Sequence, residues 1–126
     1  MDRRRVERWL TTYEKAWRTA GAEMLGELFT SNASYLPSPW SEPVQGLEAI
    51  AFFWEQGRKG ADEEFSLRAD VVAVELETAV VRADVDYDDD RGTWRNLWVV
   101  VFSAGGRCTR FEEWPFPSAR ADTLPG

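Results

Sequence analysis

Apolar side chains in the first third of the chain recur at helical intervals. Val6, Leu10, Tyr13, Trp17 and Ala20 follow at spacings of four, three, four and three. That rhythm stacks them on one face and predicts an amphipathic helix over 3–20. Gly21 supplies its stop, since glycine readily takes the left-handed conformation at a helix C-terminus. A shorter helix follows with Met24, Leu25, Leu28 and Phe29 on its buried side, broken by the polar run Thr30-Ser31-Asn32. Residues 33–36 read as a short strand. They lead into 37–43, where Pro37, Pro39 and Pro43 exclude regular structure. Gly46 then opens a third helix over 47–57, with Leu47, Ile50, Phe53 and Trp54 on its apolar face.

Beyond residue 64 the period changes to two. Strands are predicted over 64–75, 78–86, 94–103 and 107–114, with turns at 77–78, 88–92 and 104–106. Links this short make consecutive strands antiparallel hairpins. From Pro115 onward the chain is proline-rich and expected to be extended. With no internal repeat and no composition break, one domain is expected over 1–126, its core about 5–116 and its tail 117–126. Helices followed by a meander give an α+β class. The expected architecture is a cone-shaped barrel, with three N-terminal helices in the concave face of a curved, mainly antiparallel sheet. The mouth of such a cone is a natural pocket.

Composition narrows the chemistry. The chain has 126 residues, 44% of them hydrophobic, which suits a globular domain burying roughly two-thirds of its unfolded surface. It contains no histidine, so Ser-His-Asp and Cys-His nucleophile systems and His-ligated metal sites cannot be built from it. Carboxylate, tyrosine and amide chemistry remain, with no cofactor and no metal expected. The net charge of −7 argues against nucleic acid, which selects basic surfaces. No apolar run reaches the length of a membrane span, and the basic start 3–5 lacks the apolar stretch of a secretory signal. The single cysteine, Cys108, excludes an intrachain disulfide. A cytoplasmic protein is expected. The alternating acids 84, 86, 88 and 90 do not make a calcium loop, because Asp89 stands where glycine is needed and Arg95 where a bidentate glutamate belongs.

Several motifs in order resemble the nuclear transport factor 2-like superfamily, and within it the SnoaL-like group. They are Tyr13-Glu14-Lys15-Ala16-Trp17 closing at Gly21, Leu28-Phe29-Thr30 before Asn32-Ala33-Ser34-Tyr35, and Glu42-Pro43-Val44-Gln45-Gly46 ahead of Ala49-Ile50. The closing segments 95–102 and 111–114 complete the set. The resemblance implies the cone fold and a homodimer through the outer sheet face. It does not fix an activity, since the superfamily hosts isomerases, epoxide hydrolases, cyclases, dehydratases and binding domains. Ketosteroid isomerases, a worked example of carboxyl tuning, need a first-helix tyrosine, which Tyr13 matches. Their base aspartate falls at Pro37 and their protonated aspartate at Trp98. Two of three roles are therefore empty, and steroid isomerisation is not expected.

Strand alternation and the family register select the inward groups. Trp94, Asn96, Trp98, Val100 and Phe102 share the inward face of one strand. Phe111 and Glu113 point inward on the next, with Cys108, Arg110, Glu112 and Trp114 outward. Patterning sends Arg82, Asp84 and Asp86 outward; an inward Arg82-Asp84 pair would instead resemble an epoxide-hydrolase centre. Glu113 is the one carboxylate expected inside. Burial among rings raises a carboxyl pKa and makes it a usable general acid or base, unless it lies at the rim or pairs with Arg95 or Arg110. Tyr13 and Asn96 are the expected polarising donors beside it. Trp17, Tyr35, Trp40, Phe53, Trp54, Trp98 and Phe111 are expected to wall a pocket for an apolar or polycyclic small molecule. Cofactor-free cyclase, isomerase or dehydratase chemistry is one reading. A non-catalytic ligand-binding or protein-interaction domain is the other.

Overall fold

Asp2 starts the first helix by accepting a hydrogen bond from the Arg5 backbone N–H at 2.9 Å, which satisfies one of the free donors at its N-terminus. In the computed structural model, which describes residues 1–58, 60, 62 and 64–118, this helix, α1, spans Arg3–Trp17. It buries Val6, Trp9, Leu10, Tyr13 and Ala16. It stops three residues short of the expected end. Its last carbonyls turn instead to Arg58, whose guanidinium donates to Ala16 O, Trp17 O and Gly21 O at 3.2, 2.7 and 3.0 Å. A buried arginine thus performs the capping that the sequence assigns to Gly21.

The second helix, α2, is a single turn over Leu25–Leu28. Phe29, expected at its end, instead begins strand β1, Phe29–Leu36. The Thr30-Ser31-Asn32 run does not break structure; it is polar because that part of β1 faces solvent. A two-residue strand β2, Val44–Gln45, pairs antiparallel with β1 across the proline loop. Gly46, at φ +92°, then makes the turn into α3, Leu47–Gly57, a backbone conformation that side-chain-bearing residues rarely adopt. Ile50 is fully buried from α3, while Phe52 on its far side is exposed.

Four longer strands follow: β3 Phe65–Glu75, β4 Thr78–Tyr87, β5 Thr93–Phe102 and β6 Cys108–Pro117. They form a meander, and the six-stranded order is β2-β1-β6-β5-β4-β3. The β1–β6 pairing is parallel and all others antiparallel. The β3–β4 turn lies at Leu76-Glu77, one residue before its expected place, with Leu76 at φ +55°. The chain beyond Pro115 is extended as expected, and β6 carries it to Pro117; positions 119–126 of the expected tail lie outside the described residues.

The sheet is curved and unclosed, and the helices fill its concave side. Helix α1 runs beside the free edge of β3, where Arg3 donates to Val71 O at 2.7 Å and Arg18 to Phe65 O at 2.9 Å. Covering edge carbonyls in this way blocks further strand pairing. The alternation expected for β4 and β5 holds. Ala79, Val81, Ala83 and Val85 face the core on β4, with Arg82 and Asp86 exposed and Asp84 half-buried on the other side. Asn96, Trp98, Val100 and Phe102 are buried on β5.

Cys108 departs from its expected outward position and is fully buried. The β5–β6 register slips by one residue between Val101 and Phe102, so Cys108 pairs with Phe102 while Arg110 pairs with Val101. One extra residue reverses the facing of everything before it. Burial pushes the Cys108 thiol up to about 12, which leaves it protonated and inert.

Candidate functional site

Strand register builds the site. Trp98 and Glu113 are direct cross-strand partners on β5 and β6, and Asn96 sits opposite Pro115 one step along the same face. The Trp98 indole N–H donates to Glu113 Oε2 at 2.8 Å. From the other side α1 supplies Tyr13 and Trp17, β1 supplies Tyr35, and α3 supplies Phe53 and Trp54. These side chains line a half-open cavity of about 320 Å³. Val85 and Tyr87 of β4 and Trp94 of β5 continue its wall, and Pro37, Gly57 and Arg58 also line it.

Ring packing fixes the geometry. Tyr13 stacks on Phe111 at 5.7 Å between centroids and meets Trp98 at 5.0 Å and Trp54 at 5.2 Å. Tyr35 also stacks on Phe111, 4.9 Å between centroids, and lies 5.5 Å from Phe53. Trp17 lies on Phe65 at 3.9 Å. Each contact is modest, but together they hold the polar tips of Tyr13, Tyr35 and Trp98 in fixed relation.

Electrostatics follow from enclosure. Burial raises the Glu113 carboxyl above the ordinary carboxylate range, and the Trp98 hydrogen bond offsets only part of that. Burial likewise raises the Tyr13 and Tyr35 hydroxyls well above their ordinary value, with Glu113 adding to both. Both tyrosines therefore keep their protons and serve as hydrogen-bonding groups. Arg58 brings positive charge to the wall, but its guanidinium is committed to three backbone carbonyls and to Glu55 at 2.8 Å.

The structure brings eight of the ten expected site residues to this cavity: Tyr13, Trp17, Tyr35, Phe53, Trp54, Asn96, Trp98 and Glu113. Trp40 is not among them. It is 94% exposed, in the proline loop between β1 and β2. Phe111 is fully buried and lies behind the lining, as a support for both tyrosines. Arg82 and Asp86 are on the outer face with Asp84, so an internal Arg82-Asp84 centre is not formed. Arg95 and Arg110 are exposed on that outer face and do not pair with Glu113. Arg58 is the wall residue that sequence reasoning did not single out. An arginine one position past a helix ending in glycine was the available signal. Trp94 and Tyr87 were implicit in the alternation of their strands.

A model of the SnoaL-like domain family matches residues 6–111 of the chain. The chain belongs to the SnoaL-like family. Solved structures agree on the fold. A protein assigned as a polyketide cyclase from Sinorhizobium meliloti is 21% identical with a TM-score of 0.66, over 83% of this chain and 92% of that one. SalBIII, an epoxide hydrolase/cyclase-like enzyme of pyran-ring formation in the polyether salinomycin, is 13% identical with a TM-score of 0.71, over 91% and 92%. A protein assigned as an isomerase of the SnoaL-like family from Agrobacterium tumefaciens is 19% identical with a TM-score of 0.70, over 89% and 97%. Among curated proteins, none matches the sequence significantly. At these identities the SnoaL-like neighbours establish the cone and leave the chemistry to the cavity itself.

Proposed function

We propose that this SnoaL-like domain binds an apolar or polycyclic small molecule in its aromatic-walled cavity and performs cofactor-free acid/base chemistry on it, of the cyclase, isomerase or dehydratase kind. The observation that carries the reading is Glu113, whose enclosed carboxyl accepts the Trp98 N–H and has a raised pKa. An acid tuned toward working pH is the usual form of a general acid or base. Because Trp98 can only donate, Glu113 Oε2 accepts its N–H, which leaves Oε1 outside that hydrogen bond. Tyr13 and Tyr35 hold their protons and suit the polarisation of a carbonyl, a role they share with Asn96. The neighbouring cyclases and isomerases are compatible with proton shifts next to a carbonyl, as is the absence of histidine from the chain.

Hydrogen–deuterium exchange beside a carbonyl tests this without knowledge of the natural substrate. In D₂O, the protein is expected to accelerate exchange at C2 of 1-tetralone, read by proton NMR. Glu113→Gln is expected to lower that acceleration by about 100-fold or more. Binding of 1-tetralone without acceleration selects the second reading, a non-catalytic ligand-binding or protein-interaction domain. That reading is favoured by one observation: among the described residues lining the cavity, Glu113 is the one carboxylate.

We further propose a homodimer through the outer sheet face, supported by Val72, Leu97, Trp114 and Phe116, all exposed on strands of that sheet. A sedimentation mass of one chain would refute it. A cytoplasmic setting fits the lone, buried cysteine.

A further inference from the structure

Resting on the small-molecule reading above, we infer that the Trp54 indole N–H and the Asn96 amide read the polarity of the guest, which is an uncharged ring compound with carbonyl oxygens toward both walls. Trp54 Nε1 is shielded from solvent and has no hydrogen-bond partner. An indole N–H can only donate. Asn96, on the facing sheet wall, is 6% exposed, and its Oδ1 is likewise covered and unpartnered. Among the described residues no hydrogen bond uses either end of this amide, and Nδ2 is the end left open to the cavity. Native proteins seldom leave buried polar groups unpaired. Two such groups, on α3 and on β5 of one cavity, mark where a guest completes the hydrogen bonding. Modest rotation of the half-buried indole and of the amide brings them to it.

The remaining polar groups of the wall decide what that guest offers. Trp98 spends its N–H on Glu113, and Arg58 spends its guanidinium on backbone carbonyls and Glu55. Donors predominate among the unspent groups, namely the Trp54 N–H, the Asn96 Nδ2, the Glu113 proton and a hydroxyl of the Tyr13–Tyr35 pair, against one covered acceptor, Asn96 Oδ1. The guest therefore supplies chiefly acceptors. No uncommitted cation awaits an anionic guest among the described lining residues. In size, about 320 Å³ is roughly twice the ~150 Å³ that accommodates benzene in an apolar cavity, which suggests two fused rings.

A ligand series with zero, one and two carbonyls on a single bicyclic frame tests the assignment: tetralin, 1-tetralone and 2,3-dihydronaphthalene-1,4-dione, each titrated calorimetrically at pH 7. Each carbonyl is expected to tighten binding by about tenfold, the effect of pairing a buried group otherwise left unsatisfied. Trp54→Phe is expected to abolish one of the two gains and Asn96→Leu the other. Each variant's gains are read relative to its own tetralin affinity, and its thermal unfolding transition reports that it folds. The wild-type series stands as a test even if a variant does not fold. Equal affinity for all three compounds, or gains that survive both substitutions, overturns the assignment while the small-molecule reading stands. Failure of every compound to bind, tetralin included, overturns both.

Discussion

Trp9→Ala is expected to destabilise the protein by about 3–5 kcal/mol, the range for removing a large aromatic from a packed core. Trp9 is only 6% exposed and sits at the centre of the aromatic group. It meets Phe29 edge-on at 6.0 Å and Phe102 edge-on at 5.6 Å, and lies 5.3 Å from Tyr13 and 6.2 Å from Phe111. Its indole N–H also donates to Leu28 O at 3.0 Å, at the junction of α2 and β1. Truncation therefore opens a cavity behind the site and strips a buried carbonyl of its partner. Against a total stability of roughly 5–15 kcal/mol, this is a large fraction. Urea unfolding measures it. Trp40→Ala serves as the contrast, because a 94% exposed ring is expected to cost no more than about 0.5 kcal/mol. Equal losses in the two variants would contradict the placement of both rings.

Glu113→Gln is expected to change how stability depends on pH. The folded state holds the Glu113 proton more tightly than the unfolded chain, since its carboxyl is raised by burial. Between the ordinary carboxyl pKa and the raised one, the native state therefore binds more protons than the unfolded state. Stability must fall as pH rises through that window. The contribution is fully present below the unfolded pKa and gone above the folded one. Glutamine keeps a neutral, hydrogen-bonding group of the same shape and cannot ionise, so the variant lacks this decline. The difference in stability, variant minus wild type, is expected to grow with pH from the ordinary carboxyl range upward and then level off. Thermal or urea unfolding across pH reads this difference. A difference independent of pH would mean that Glu113 ionises as it does in water.

Legibility in the sequence tracked the strength of local periodicity. Helix α3 matches its expected bounds because Gly46 and Gly57 bracket a dense apolar run. The inward faces of β4 and β5 follow from strict alternation, which a single register fixes. Trp9 was passed over because the path through residues 6, 10, 13 and 17 traces only one edge of the buried stripe. The real stripe also takes in Trp9 and Ala16, as expected for a core-facing helix with a wide apolar face. The end of α1 and the inversion of Cys108 escaped for a different reason. One depends on Arg58, some forty positions away, and the other on a one-residue slip against β5; neither leaves a local signal. Trp40 was assigned to the wall by residue type alone, and a proline loop carried it outward. The parallel pairing of β1 with β6 joins segments far apart in the chain, such as Tyr35 and Phe111, and has no local signature. It nevertheless sets Tyr35 beside Phe111 and so closes the cavity.

On the function proposed above, Glu113 is a carboxylic acid held neutral above the ordinary carboxyl range, inside a ring-walled cavity. Difference infrared spectroscopy between wild type and Glu113→Gln, titrated from acid to neutral pH, observes this directly. A protonated carboxyl C=O band is expected, absent from the variant, that persists after the exposed carboxylates have ionised and disappears only at higher pH. Loss of that band together with those of the surface carboxylates would contradict it.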